Sequence, residues 1–404
     1  MSDQDVNPNK YSELRSIFKY YIGIYNELYQ LKTENEEDLK DIYKIIKTEL
    51  IDSMKYLPIN VIKDILNIIP YNNRYTKSYL SLAKLISDEY HVKEVKKVAT
   101  ISNFLFYKEY GIKLDKSADF EKINSENLEI HTGDTIYRAI MYNDLERFIY
   151  FTERDGFDKD QKLKNSLYPY SYEGYLLLEL CCYHGAVDCF KLLRMKFNSE
   201  ITQTCLEFSF LGGNKEILSE CLKYQTPDEK CMFYAIISHN IDFVTLLVNE
   251  HNIEINLYYC GKYNNLESFL VYYDQTDDFN NCFINSPLCN ILSLCEYFLS
   301  HDANINEKDK NGRTALHNAA ENSSKEIAEL LISHGANINE KNNQGRTALH
   351  FAAGNNSKDT TELFILHGAN INEKDNYSLT PLALARIHDC KDTLELLESH
   401  GTKI

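Results

Sequence analysis

Hydrophobic residues recur along the first half of this chain at the three- and four-residue spacing of a single helix face. Tyr11, Leu14, Phe18, Tyr21, Tyr25 and Leu28 form one stripe, and Leu39, Ile42, Tyr43, Ile46 and Leu50 form a second. Leu57 to Pro70 and Tyr79 to Ile86 continue the pattern, with Pro58 and Pro70 placed to start and stop a helix. Residues 1–112 are therefore expected to form a helical bundle, followed by a linker over 113–134. Further on, paired helical stripes replace single ones, which predicts stacked helix pairs from residue 135 to the C-terminus.

In the last hundred residues the pattern repeats with a period of 33. Gly312-Arg313-Thr314-Ala315-Leu316-His317 returns as Gly345-Arg346-Thr347-Ala348-Leu349-His350 and fades into Ser378-Leu379-Thr380-Pro381-Leu382-Ala383. Ala303 to Lys308 returns as Ala336 to Lys341 and as Ala369 to Lys374. A fixed period of this length predicts a solenoid in which each unit buries its apolar face against its neighbours only.

Within the copy from Asp309 to Lys341, Asp309-Lys310-Asn311-Gly312 reads as a turn. Thr314 opens a first helix whose Leu316, Ala319 and Ala320 leave room for close approach. A second helix starts at Lys325 and is expected to bury Ile327, Ala328, Leu330 and Leu331. Gly335 supplies the left-handed cap, where a side chain would cost on the order of 1 kcal/mol. Ile338 anchors the exit toward the next turn.

These residues resemble the ankyrin repeat: a turn, Thr-Pro-Leu-His, two antiparallel helices and a terminal Gly-Ala-Asp/Asn-x-Asn. Ala315 and Ala348 stand where that family has proline, and Ser323 and Asn356 where it has glycine. The resemblance implies an all-α, ankyrin-type solenoid over 301–404. It also implies that His317 and His350 hydrogen-bond within and between repeats instead of doing chemistry. Upstream, weaker helix-pair signals carry an acid three residues past the inter-helix turn, as in Gly185 with Asp188, Gly213 with Glu216, and His239 with Asp242. Turns near 143, 185, 213, 239, 290, 323, 356 and 389 suggest about eight pairs. The short middle spacings leave no room for protruding fingers. Residues 135–300 are similar to a domain of unknown function that precedes ankyrin arrays in certain protist proteins. Two stretches, Asp155 to Tyr175 and Tyr258 to Asn281, read as insertions into the stack. Of their aromatics, Tyr168, Tyr170, Tyr172 and Tyr175 suit either partner contact or half-buried packing.

Composition narrows the function. A hydrophobic fraction of 44% can fill a continuous core, while the formal charge of −17 sets an acidic field that disfavours nucleic acid. The densest basic group, Lys93, Lys96 and Lys97, lies among acids. The segment Met1 to Lys10 lacks an apolar export core, and no apolar run approaches the ~20 residues of a membrane span. The expectation is a monomer without membrane insertion, in the cytoplasm or alternatively the nucleus. The eleven cysteines include no Cys-x-x-Cys pair and read as small buried hydrophobes. Cys181-Cys182 with His184 lacks a second ligand pair for zinc. No phosphate loop, nucleophile elbow or metal motif is present, so no catalytic, cofactor-binding or metal-binding residues are assigned.

The expectation is a non-enzymatic scaffold that binds a protein through its finger tips and concave helix face. Analogy with the family places the contacts at Lys310, Asn311, Arg313, Glu321 and Asn322. The next unit adds Asn343, Gln344, Arg346, Gly354 and Asn355, and the last adds Asn376, Tyr377 and Leu379. Arg313 and Arg346, planar donors at one register of an acidic body, are the strongest of these. An alternative comes from residues 57–86, whose Leu-Pro opening and Ile/Leu-rich helix ending in proline are similar to an F-box. That resemblance implies a ubiquitin-ligase substrate receptor in which this segment docks an adaptor and the solenoid holds substrate.

Overall fold

The computed structural model describes residues 10–121, 123, 128 and 133–401, with side chains from Ser12 onward. The side chain of Tyr11 and much of the expected linker fall outside the described residues. The described residues are all-α apart from one short hairpin, and divide into two compact units, Arg15–Asn256 and, with residues 10–14, residues 257–401.

The first unit begins with the bundle: Lys19–Tyr29, Glu36–Ile45, Pro58–Ile68, Thr76–Glu89 and Thr100–Tyr110. Asn35 caps the second of these, its Oδ1 accepting the Glu37 amide at 2.7 Å, and Pro58 opens the third. Phe18, Tyr21, Tyr25 and Leu28 are buried as their spacing predicts, and so are Ile46 and Leu50. Tyr43 is only half-buried. The helix carrying it widens into π geometry over Ile46–Ser53, which turns Ile51 inward beside Leu50. An acid, Asp64, lies in this core. Asp64 accepts from the hydroxyls of Tyr25 at 2.7 Å and Tyr56 at 3.2 Å, so its desolvated carboxylate is hydrogen-bonded.

Nine helix pairs follow among the described residues. Four lie in the first unit: Ile136–Met141 with Leu145–Thr152, Leu177–His184 with Val187–Phe197, Gln203–Gly212 with Lys215–Cys221, and Glu229–Ile237 with Ile241–His251. Five lie in the second: Leu257–Lys262 with Leu266–Thr276, Phe279–Asn285 with Leu292–Ser300, Ala315–Glu321 with Lys325–Ser333, Ala348–Gly354 with Lys358–Leu366, and Pro381–Ile387 with Lys391–Ser399. Each pair reverses through one residue of positive φ: Asn143, Gly185, Gly213, His239, Asn264, Asn290, Ser323, Asn356 and Asp389. Asparagine tolerates this region better than most side chains, which explains how the chain dispenses with glycine at several turns. The acids after the turns, Asp188, Glu216 and Asp242, lie in the first turn of a second helix, where they oppose the helix dipole.

The structure corrects one of the two expected insertions. Tyr258 to Asn281 is no insertion: it holds most of the fifth helix pair, with Asn265 capping the second helix through the Ser268 amide at 2.9 Å. Its apolar stripe, Leu266, Phe269, Leu270 and Tyr273, was obscured by the surrounding Asn, Asp and Tyr. The other segment, Asp155 to Tyr175, does leave the stack and closes as a hairpin of β1 (Lys162–Leu163) and β2 (Tyr175–Leu176), antiparallel with Leu163 opposite Tyr175. Its tyrosines divide: Tyr168 is buried against His184, Tyr175 is half-buried, and Tyr170 and Tyr172 are exposed.

Within the first unit the bundle lies against the turn ends of the second to fourth pairs. Gln30 Nε2 donates to the carbonyl of His239 at 2.8 Å, and the Tyr29 ring stacks on the His239 ring at 4.1 Å. The Tyr183 hydroxyl donates to the Pro70 carbonyl at 2.8 Å, and Asn73 Nδ2 to the Leu167 carbonyl at 3.0 Å. All eleven cysteines are free and buried.

In the seventh pair Ile327, Ala328 and Leu331 are buried, but Leu330 is only half-buried, because 100° per residue carries it past the edge of the stripe. Leu331→Ala is therefore the substitution expected to cost about 2–5 kcal/mol. Hydrogen exchange should then show faster amides in the second unit before the first. Equal loss of protection across both units would contradict repeats that pass destabilisation only to their neighbours.

Candidate functional site

The three C-terminal fingers are built alike. Asp309 Oδ1 accepts the amides of Asn311 and Arg313, both at 2.8 Å, and the Asp309 amide donates to the Arg313 carbonyl at 2.9 Å. Asn342 and Asp375 repeat the device toward Gln344 and Arg346, and toward Tyr377 and Leu379. Each finger then bonds to the next. The Asn343 amide donates to the Asn311 carbonyl at 2.9 Å, and the Asn376 amide to the Gln344 carbonyl at 2.9 Å. Asn343 Nδ2 reaches the Lys310 carbonyl at 3.0 Å, and Asn376 Nδ2 the Asn343 carbonyl at 2.9 Å. Gly312 fits here for two reasons: its φ is +72°, and a Cβ would lie 2.5 Å from Asn343 Oδ1.

Behind the fingers the repeated histidines tie layers together. His317 Nδ1 accepts the Thr314 amide at 3.0 Å, so that nitrogen carries no proton. The proton resides on Nε2, which donates to the Arg346 carbonyl of the next unit at 3.1 Å. His350 repeats this with Thr347 and the Leu379 carbonyl. In these two units the Thr hydroxyl also meets the ring nitrogen. In the last unit, where Ala383 replaces histidine, Thr380 caps its helix by accepting the Ala383 amide at 3.2 Å. Burial pushes the His317 imidazole down to about 4 and lowers His350 in the same direction.

The recurring Asn-Ile-Asn-Glu-Lys segment is a third ladder. Asn306 Oδ1 accepts the Asn337 amide at 2.8 Å, Asn339 Oδ1 the Asn370 amide at 2.8 Å, and Lys308 and Lys341 pair with Glu340 and Glu373 at 2.6 Å. Ile338 is half-buried between these bonds.

The residues expected to meet a partner fall into two groups. Lys310, Asn311, Asn343, Gln344, Asn376 and Tyr377 are exposed along the finger row, Tyr377 at 68%. Arg313, Glu321, Asn322, Arg346, Gly354, Asn355 and Leu379 are half-buried. Arg313 pairs with Glu321 in its own unit and lies 4.9 Å from the Phe351 ring in the next. Arg346 Nε meets Asp375 Oδ2 at 3.1 Å. Burial alone would raise the Asp375 carboxyl, but the Leu379 amide and the Arg346 guanidinium outweigh it and hold it below its ordinary value. Asn322 Nδ2 donates to the Leu288 carbonyl at 3.1 Å and Asn355 Nδ2 to the Glu321 carbonyl at 3.3 Å. Both arginines and these asparagines thus also join one layer to another.

Three groups on this face escaped the sequence reading. Tyr258 reaches Glu321 Oε1 at 3.5 Å, Lys262 lies 5.5 Å from the Tyr263 ring, and Ile387 is 62% exposed at the end of the last inner helix. The first two were hidden by taking their segment for an insertion. Ile387 occupies the register of Glu321 and Gly354, a signal the 33-residue alignment contained. In residues 57–86 the apolar side chains lie largely inside: Ile62, Ile65, Leu66, Tyr79, Leu82 and Ile86 are buried, with Leu57 and Ile59 exposed. No observation favours the adaptor-docking alternative. Cys181 and Cys182 are buried, their thiols pushed up by desolvation, and the described residues contain no group of three or more His, Cys, Asp or Glu placed to hold a metal ion. No described helix is long and apolar enough to cross a membrane.

Stability of the repeats should depend on pH through the histidines. With its folded pKa below the ordinary 6.5, His317 contributes stability that is fully present above pH 6.5 and is lost as pH falls toward 4. At pH 5 the loss from His317 alone is about 2 kcal/mol. A melting temperature that falls between pH 7 and 5 in the native chain, and falls less in His317→Gln, is the expected result.

Residues 197–272 match the family model described as a domain of unknown function (DUF3447), and the model for ankyrin repeats, in three copies, matches 257–342, 284–375 and 335–404. No curated protein matches the chain. Ankyrin repeats are protein-binding modules. With the 33-residue ladders, the finger turns and the neutral bridging histidines all in place behind that domain, the C-terminal part of the chain, residues 257–404, is a set of ankyrin repeats.

Proposed function

We propose that the protein is a non-enzymatic scaffold that grips a protein partner through the finger row and inner helix face of its C-terminal repeats. The observation carrying this reading is preorganisation. Each finger is closed by an Asp or Asn side chain and bonded to its neighbour, so the exposed tips are held in place before any partner arrives. Ordering cost on binding is correspondingly small. Lys310, Asn311, Gln344 and Tyr377 make the outer contacts. Glu321, Asn322, Gly354 and Asn355 form the floor, to which Asn343, Asn376 and Leu379 are contiguous. Arg313 and Arg346 present their guanidinium edges from within their ion pairs, which fixes their direction. Tyr377, amphipathic and exposed, is the aromatic anchor.

The test begins with partners captured by proximity labelling in the native cell and confirmed with purified chain. Lys310→Ala, Gln344→Ala and Tyr377→Ala combined should weaken binding by about tenfold or more, about 1.4 kcal/mol, with the melting temperature unchanged. Affinity retained in this triple variant, and also in Arg313→Ala with Arg346→Ala, would remove the surface from consideration.

A further inference from the structure

A cavity of about 190 Å³ opens within the first unit where the bundle meets the turns of the second to fourth helix pairs. Seventeen residues line it, and none is Asp or Glu, although the chain carries a formal charge of −17. Its charged side chains are Arg74 and Lys32. The rest of the wall is aromatic and apolar, with Tyr71, Tyr75, Leu211 and Ile237, together with neutral amides.

Arg74 is the informative residue. Among the described residues four arginines are half-buried: Arg74, Arg194, Arg313 and Arg346. Arg194 faces Glu220 at 4.0 Å, Arg313 is paired with Glu321, and Arg346 meets Asp375 at 3.1 Å. Arg74 has no carboxylate partner among the described residues. Its Nη2 donates to the His184 carbonyl at 2.9 Å, its guanidinium lies 5.9 Å from the Tyr142 ring, and its Nε is buried without a hydrogen-bond partner. The acid felt by Tyr142 is Glu34, which is not part of the cavity wall. A partly desolvated guanidinium is ordinarily matched by an anion, because an unpaired charge away from water is costly. Here the fold supplies a carbonyl and a ring face, and the same guanidinium lines the cavity with no acid in its wall.

We propose that this cavity binds a small organic anion, its carboxylate or phosphate head paired with Arg74 and its short apolar body lying among the tyrosines, Leu211 and Ile237. The planar fork of arginine suits either oxyanion. The volume falls below the ~300–1,000 Å³ of pockets for drug-sized ligands, which limits the body to roughly a single ring. Lys32, exposed at the rim, adds long-range attraction. Because both the bundle and the repeats contribute to the wall, an occupant stabilises their contact, and this site is separate from the finger row.

Titration of the full chain with benzoate, phenyl phosphate and inorganic phosphate at low ionic strength, followed by calorimetry and by melting temperature, tests the site. Saturable binding of benzoate or phenyl phosphate, tighter than inorganic phosphate, is expected, and whichever of the two binds tighter identifies the head group. Arg74→Gln should weaken it about tenfold or more. Lys32→Gln, which touches no core, should weaken it less and flatten its salt dependence. The proposal is overturned if neither ring compound binds, or if both variants bind as the native chain does. Should Arg74→Gln fail to fold, unchanged affinity and unchanged salt dependence in Lys32→Gln would overturn it equally.

Discussion

The second unit depends on hydrogen bonds between residues about one repeat apart. His317 to the Arg346 carbonyl, Asn343 to the Lys310 carbonyl and Asn337 to Asn306 all join one layer to the next, and several of the groups involved are buried. Each is worth only about 1 kcal/mol net, but leaving one partner unsatisfied costs more than forming the bond gains. That asymmetry accounts for the rigid recurrence of Gly-Arg-Thr-Ala-Leu-His and Asn-Ile-Asn-Glu-Lys. A substitution in one unit orphans a group in the next, so the repeats cannot drift independently at these positions. The exposed Lys308–Glu340 and Lys341–Glu373 pairs follow the same register and contribute less, since solvent screens them.

Much of this was legible in the residues because the C-terminal units state their geometry locally: a turn-forming Asp or Asn, a glycine at the finger, a small-residue inner helix, a terminal glycine. The bundle stripes were legible for the same reason. Phe18, Tyr21, Tyr25 and Leu28 bury as one face without tertiary help in the reading. Less legible were features decided by neighbours. Tyr258 to Asn281 reads as polar loop because its inner face is lined by tyrosines and its turn by asparagines. Only stacking against the next pair, where Gly261 meets Leu288, reveals it as a layer. Leu330 and Leu331 are chemically identical, and a few tens of degrees of helix phase decide which one is buried.

For the site, the sequence located the finger row but gave no indication of how its arginines are employed. Arg313 and Arg346 recur because a guanidinium at that register reaches an acid, Glu321 within one repeat and Asp375 in the following one. Recurrence therefore carried a structural meaning in addition to any role in recognition. The relation between bundle and middle pairs was equally hidden. Gln30, Asn73 and Tyr183 are ordinary polar residues in isolation, and become informative only when found on the carbonyls of segments about a hundred residues or more away.

Ten of the eleven cysteines lie buried among the helix pairs from Cys181 to Cys295, the eleventh is Cys390, and the bundle has none. Sealed in this way, a sulfhydryl becomes alkylatable only when its own layer breathes. The chain consequently contains its own set of opening sensors, spread over most of the helix pairs and blind to the bundle, so a thiol-directed reagent would record the order in which the pairs come apart within each unit.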